Sequence, residues 1–262
     1  MAFLKHNDHT VCYRLLGDRK KPLMVLAHPL GMTQAVWDDM LPALLEGFRV
    51  LTWDLPGHGA SAAWPEESDE ITPEDLAQEA IALTELAGVD QFHFVGTSIG
   101  GAIGQQMLSK HSDRLLSATL TNTGAMIGTP DAWNTRSANV LELGLPAVAV
   151  DIVPRWFSPT ACNQQPALIE GWRVIMGRGD DRSYALLCEM LGRVDFRDQL
   201  RESSVPLQLI GGSDDLATPP DTLRALAEVS SAAEPIILDQ IGHVPSVECP
   251  DILTEILFRT LS

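Results

Sequence analysis

Short apolar runs along the chain alternate with stretches of helical periodicity. Up to about residue 122 the runs are VCYRLL, PLMVLAH, FRVLTWD, QFHFVG and LLSATLTNT. Between them lie amphipathic segments, including a helix-like run from Trp37 to Leu45 and ITPEDLAQEAIALTELAG, where Thr72 can cap and Pro73 suits the first helical turn. This alternation predicts a mostly parallel sheet with helices on both faces. From about Gly124 to Phe196 the β-rich runs stop, and helical stretches such as TPDAWNTRSANVLEL and PALIEGWRVIM follow one another. The alternation resumes with VPLQLIGG, TPPDTLRALAEV and EPIILDQ and closes with a helix at PDILTEILFRTL. The expected organisation is an α/β core from residues 1–123, an inserted helical cap over 124–197, and completion of the core over 198–262.

Composition narrows the possible partners. The formal charge of −17 gives a field that repels nucleic acid and anionic membrane surfaces, so neither is expected as a partner. A small anionic substrate would need a locally positive pocket. Cys12, Cys162, Cys188 and Cys249 are scattered, without CxxC pairs or histidines at zinc-ligand spacing, which predicts buried free thiols rather than a metal site or a disulfide framework. The first ten residues, MAFLKHNDHT, do not read as a signal peptide, and no apolar run approaches the roughly 20 residues needed to span a bilayer. A cytoplasmic protein, monomeric or homodimeric, is expected.

The strand FHFVG leads into Gly96-Thr97-Ser98-Ile99-Gly100 and then into the helical stretch AIGQQMLSK. This is the strand-turn-helix setting of a GxSxG nucleophile elbow. The turn must be tight, so side chains at Gly96 or Gly100 would collide with neighbouring elements. A helix starting just beneath the serine also presents the Ile99 amide to an oxyanion. Serine needs a histidine to take its proton. His243 in QIGHVPS follows the last β-rich run, where the base falls in the chain order Ser, Asp, His. His6, His9 and His111 read as surface residues, His93 lies inside a strand, His28 reads as structural and His58 braces a turn. The orienting acid falls between VPLQLIGG and His243, which selects the adjacent Asp214 and Asp215. Asp215 is favoured by the GxxD spacing that follows this strand in related hydrolases. Asp54 precedes a tight turn and reads as an acceptor of backbone hydrogen bonds. A second oxyanion donor is expected in His28-Pro29-Leu30-Gly31; Pro29 has no amide hydrogen, which leaves Leu30. Trp133, Trp156 and Trp172 are candidates to face the pocket, with Trp133 the foremost.

Nearly the whole chain resembles the 3-oxoadipate enol-lactone hydrolases of the α/β-hydrolase superfamily. The resemblance is carried by LGMTQAVWD, DLPGHGAS, GTSIGGAIGQ, NTGAMIGTPDAWNTR, RWFSP and GGSDDLATPP. It implies the α/β-hydrolase fold, with a mostly parallel central sheet flanked by helices and an inserted helical cap. It places Ser98, Asp215 and His243 in a catalytic triad, Leu30 and Ile99 in the oxyanion hole, and Trp133 with Arg136 near the substrate. The implied activity is hydrolysis of 3-oxoadipate enol-lactone or a similar small lactone of aromatic catabolism through an acyl-enzyme, without metal or cofactor. Arg155 and Arg173 are further cations in the cap that could meet a substrate carboxylate. The chain departs from the family pattern at His28-Pro29, where Asn-Ser is familiar, and at Met32, Thr97 and Ile99. A general carboxylesterase, a C–C bond hydrolase, and a slow-turnover ligand receptor on the same fold are the alternatives.

Overall fold

The computed structural model describes residues 1–201 and 203–261. Among them runs an eight-stranded sheet in the order β1-β2-β4-β3-β5-β6-β7-β8. β1 (Ala2–His6) and β2 (His9–Leu16) form an antiparallel hairpin, and β2 pairs antiparallel with β4 (Arg49–Trp53). β3 (Leu23–Ala27), β5 (Phe92–Thr97), β6 (Leu115–Thr121), β7 (Leu207–Gly212) and β8 (Ile236–Leu238) extend the sheet from β4 in parallel. Every residue of β3 and β4 is buried, as expected of parallel strands covered on both faces.

α1 (Leu41–Gly47), α2 (Pro73–Leu86) and α3 (Ile99–Lys110) lie between the first strands. Among the described residues, five α-helices lie between β6 and β7: α4 (Pro130–Leu143), α5 (Leu145–Ile152), α6 (Pro159–Gln164), α7 (Pro166–Met176) and α8 (Asp181–Arg193). α9 (Pro220–Ser230), α10 (Pro245–Glu248) and α11 (Pro250–Leu261) complete the chain. No helix among the described residues is long and apolar enough to cross a membrane. α2 starts as its sequence predicts: the Thr72 hydroxyl accepts from the Asp75 amide at 3.2 Å, and the Asp75 carboxylate accepts from the Thr72 amide at 2.8 Å.

Four local expectations need correction. The run from Trp37 to Leu45 is not one helix; a 3-10 turn over Gln34–Trp37 ends before α1 begins at Leu41. Pro42 has no amide to donate back along a helix and is tolerated only in a first turn, which fixes the start there. β1 is an unforeseen edge strand, joined to β2 through Asn7 and Asp8 at φ 43° and 61°, the left-handed pair of a two-residue hairpin turn. Cys162 is half-buried, although all four cysteines are free. His9 is buried rather than on the surface: its Nε2 lies 2.8 Å from Oε1 of Glu79 on α2, and Trp64 tilts against its ring at 5.0 Å.

Burial pushes the Glu79 carboxyl up; at His9 burial lowers the imidazole, but Glu79 together with the backbone bonds of Asn7 and His6 outweighs it and the net shift is upward. His9→Ala leaves that buried carboxyl without its histidine partner. Urea unfolding should then show a loss of about 3 kcal/mol. A loss below about 1 kcal/mol, the range of exposed pairs, would show that the pair does not brace the hairpin against α2.

Candidate active site

β5 ends at Thr97 and α3 begins at Ile99, so Ser98 alone makes the turn, at φ 59° and ψ −115°. Two glycines make room for it. A Cβ at Gly96 would lie 2.2 Å from the Gly100 carbonyl oxygen, and one at Gly100 would lie 2.3 Å from the Ala27 carbonyl oxygen. Both obstacles are backbone and cannot swing aside. β6 steadies the turn, because the Ser98 amide donates to the Thr121 carbonyl at 3.0 Å and the Thr123 hydroxyl donates to the Ser98 carbonyl at 2.9 Å.

The acid and base come from the far end of the chain. His243 Nδ1 lies 2.8 Å from Asp215 Oδ2, with both side chains buried. The same carboxylate accepts from the Ala217 and Thr218 amides at 2.8 and 2.9 Å, the Thr218 hydroxyl at 2.6 Å and the Asn122 amide group at 2.9 Å. Burial alone would raise the Asp215 carboxyl. The charge and hydrogen bond of His243, with the bonds from Thr218, overcome burial and hold it well below the usual carboxylate range. Asp214 does not reach the imidazole; its carboxylate accepts from the Ser213 hydroxyl. Asn122 and Thr218 were not foreseen from sequence. Asn122, at φ 48°, bridges Asp215 to the Gly242 carbonyl.

Ser98 and His243 face one cavity of about 170 Å³. Leu30 lines it too, and the Ile99 amide opens α3 with no residue one turn back to receive it. Asp54 accepts from the Gln34 amide at 2.8 Å and the Ala60 amide at 3.1 Å, and so holds a turn instead of entering the cavity.

A profile described as the alpha/beta hydrolase family matches residues 24–256. The chain belongs to that family. It is 30% identical to 3-oxoadipate enol-lactonase 2 of Acinetobacter baylyi over 94% of this chain and 91% of that one. It is also 30% identical to a pimeloyl-[acyl-carrier protein] methyl ester esterase of Vibrio cholerae, over 85% of this chain and 87% of the other. The crystal structure of the enol-lactonase from Burkholderia xenovorans LB400 matches with a TM-score of 0.92 at 30% identity, covering 99% of both chains.

In this alpha/beta hydrolase the cap supplies the outer wall of the cavity. Trp133 and Arg136, both on α4, line it, with the Arg136 guanidinium 4.7 Å above the Trp133 ring centre. Trp133 donates its indole N–H to the Ile127 carbonyl. Arg155 and Trp156 also line the cavity, whereas Trp172 is packed within the cap and Arg173 donates to the Val150 carbonyl. Neither Arg136 nor Arg155 has a carboxylate within ion-pair distance among the described residues.

The arrangement separates the two adjacent aspartates experimentally. Asp215→Asn puts an amide where His243 Nδ1–H needs an acceptor, and kcat for a p-nitrophenyl ester should fall about 10⁴-fold with the fold retained. Asp214→Asn should stay within about threefold of wild type, since the asparagine oxygen can still accept from Ser213 and only the charge on a part-buried hydrogen bond is lost. Equal losses in the two variants would remove Asp215 from the orienting role.

Proposed function

We propose that this protein is a serine hydrolase that opens a small carboxylate-bearing lactone of the 3-oxoadipate enol-lactone type through an acyl-enzyme. The observation that carries the proposal is the left-handed turn at Ser98 facing the same cavity as His243, which is paired with Asp215, and two arginines without acid partners among the described residues. The similarity to enol-lactonases over almost the full chain supports the substrate class.

His243 takes the Ser98 proton through Nε2, because its Nδ1–H is committed to Asp215. Ser98 Oγ attacks the lactone carbonyl. The Leu30 and Ile99 amides hold the oxyanion, aided by the positive end of α3. Collapse of the tetrahedral intermediate breaks the ring C–O bond, and His243 returns the proton. The leaving oxygen is an enol that stays tethered to the acyl group, and its conversion to the ketone removes the nucleophile that could reclose the ring. Water activated by His243 then releases the acid. Arg136 meets the free carboxylate of the substrate, with Arg155 as the second cation on that wall. The similarity to a methyl ester esterase favours simple carboxylic esters as further substrates of the same machinery.

Ser98→Ala should lower turnover of the enol-lactone and of small esters by roughly 10⁴-fold or more, with an unchanged circular dichroism spectrum. Sustained activity in that variant would end the acyl-enzyme reading. Burst kinetics with a trapped adduct in place of steady turnover by the wild type would favour a receptor. Arg136→Ala should raise KM for the anionic lactone about tenfold relative to a neutral ester, matching the loss of one charge-assisted bond. Parallel changes for the two substrates would take the carboxylate away from Arg136.

A further inference from the structure

Two buried histidines take no part in the chemistry above. His28 follows β3 and His58 follows β4, with ring centres 5.5 Å apart. His28 Nε2 lies 2.9 Å from the Leu55 amide, a group that can only donate, and its Nδ1 lies 2.8 Å from the Pro29 carbonyl, which can only accept. His58 repeats the pattern: Nε2 accepts from the Gly31 amide at 3.0 Å, and Nδ1 donates to the Pro56 carbonyl at 2.9 Å. Both rings are therefore neutral imidazoles with the hydrogen on Nδ1. Each loop grips the backbone of the other.

The bonds fall on the peptide units around Leu30. The Pro29 carbonyl and the Leu30 amide belong to one planar trans peptide, so a donor fixing that oxygen aims the Leu30 N–H the opposite way. His28 and the Met32 amide both donate to that oxygen. His58 holds the next peptide through Gly31, whose φ of 82° and close approach to the Trp156 ring leave no room for a side chain. Tyr184 stacks on His58 with ring centres 6.1 Å apart.

We propose that His28 and His58 are positioning residues of the oxyanion site, each bracing one of the two peptide planes that flank Leu30. The proposal rests on the role given to Leu30 above. Protonation of either ring would set a hydrogen on Nε2 against a backbone N–H. Burial guards against this by lowering both imidazoles, and with the neighbouring His28 it takes His58 to about 4, although Asp54 and Asp180 pull the other way.

His58→Ala should lower kcat roughly 10- to 100-fold, less than the 10²–10³ of a whole oxyanion donor, with KM within about threefold of wild type. Inhibition by a small trifluoromethyl ketone, whose adduct carries the same oxyanion, should weaken by the same factor as kcat/KM. His58→Gln, which keeps an acceptor for Gly31, should recover part of the loss. A folded His58→Ala with kcat within twofold of wild type would overturn the proposal. So would a loss explained entirely by a smaller active fraction counted by phosphonate titration. The wild-type protein gives a test that needs neither a variant nor activity. ¹⁵N NMR at pH 7 should show His28 and His58 protonated at Nδ1 and bare at Nε2, and a proton on Nε2 of either ring overturns the clasp. An active Ser98→Ala would sink the acyl-enzyme reading and leave this tautomer result standing.

Discussion

A residue with a side chain resists the backbone angles that Ser98 adopts, and the site depends on holding it there. Such a conformation costs about 1–3 kcal/mol and persists only where the surroundings over-determine it. Here Thr121 takes the Ser98 amide, and Thr123 and the Ala102 amide both donate to the Ser98 carbonyl. The last two bonds also aim the Ile99 amide, which shares a planar peptide with that carbonyl. One set of contacts therefore raises the nucleophile above the sheet and orients an oxyanion donor. The glycines at 96 and 100 follow from the same demand, since α3 must start within contact of β3 and β5.

The electrostatics run opposite to the whole-molecule balance. A charge of −17 disfavours anions at long range, yet Arg136 and Arg155 line the cavity with no carboxylate at ion-pair distance among the described residues, while most acids lie on the surface. At physiological ionic strength the field of distant charges decays over about 8 Å, so groups lining an enclosed cavity outweigh the remote surface. Asp215 is the exception within the site. Two backbone amides, two side chains and His243 surround it, so it stays ionised in a buried place and fixes which nitrogen of His243 is free.

Much of this was legible in the sequence, for physical reasons. Central strands announce themselves because both faces are covered and the apolar run is continuous. The elbow at Ser98 is local, and the order of acid and base follows from it. β1 was illegible because this edge strand only half-buries alternate residues and leaves even Phe3 largely exposed. His9 read as a surface residue because its burial depends on Trp64 and Glu79, which are far along the chain. Asn122 was illegible for the same reason, since only the folded sheet brings it to Asp215, 93 residues along the chain; Thr218 is three residues from Asp215, but its contact depends on how that loop turns back on the carboxylate. His58 was readable as the brace of a turn, but its grip on Gly31 was not.

The loop carrying His243 is held from two sides, and this limits how the cap can move. On the core side Asn122 donates to the Gly242 carbonyl. On the cap side the His243 amide donates to the Trp156 carbonyl at 2.8 Å, and the Glu248 carboxylate accepts from both the Gly242 and Ser158 amides. Gly242 touches this segment so closely that a Cβ would lie 2.7 Å from the Ser158 nitrogen. Residues 156–158 therefore cannot swing away without dragging the base. A motion that admits substrate and keeps His243 in place has to come from other cap elements. α4 and α5 carry none of these bonds and expose Leu141, Leu143 and Val150, but they are tied to α8 in turn, Ser137 donating to Glu189 and the Leu145 amide to Asp181.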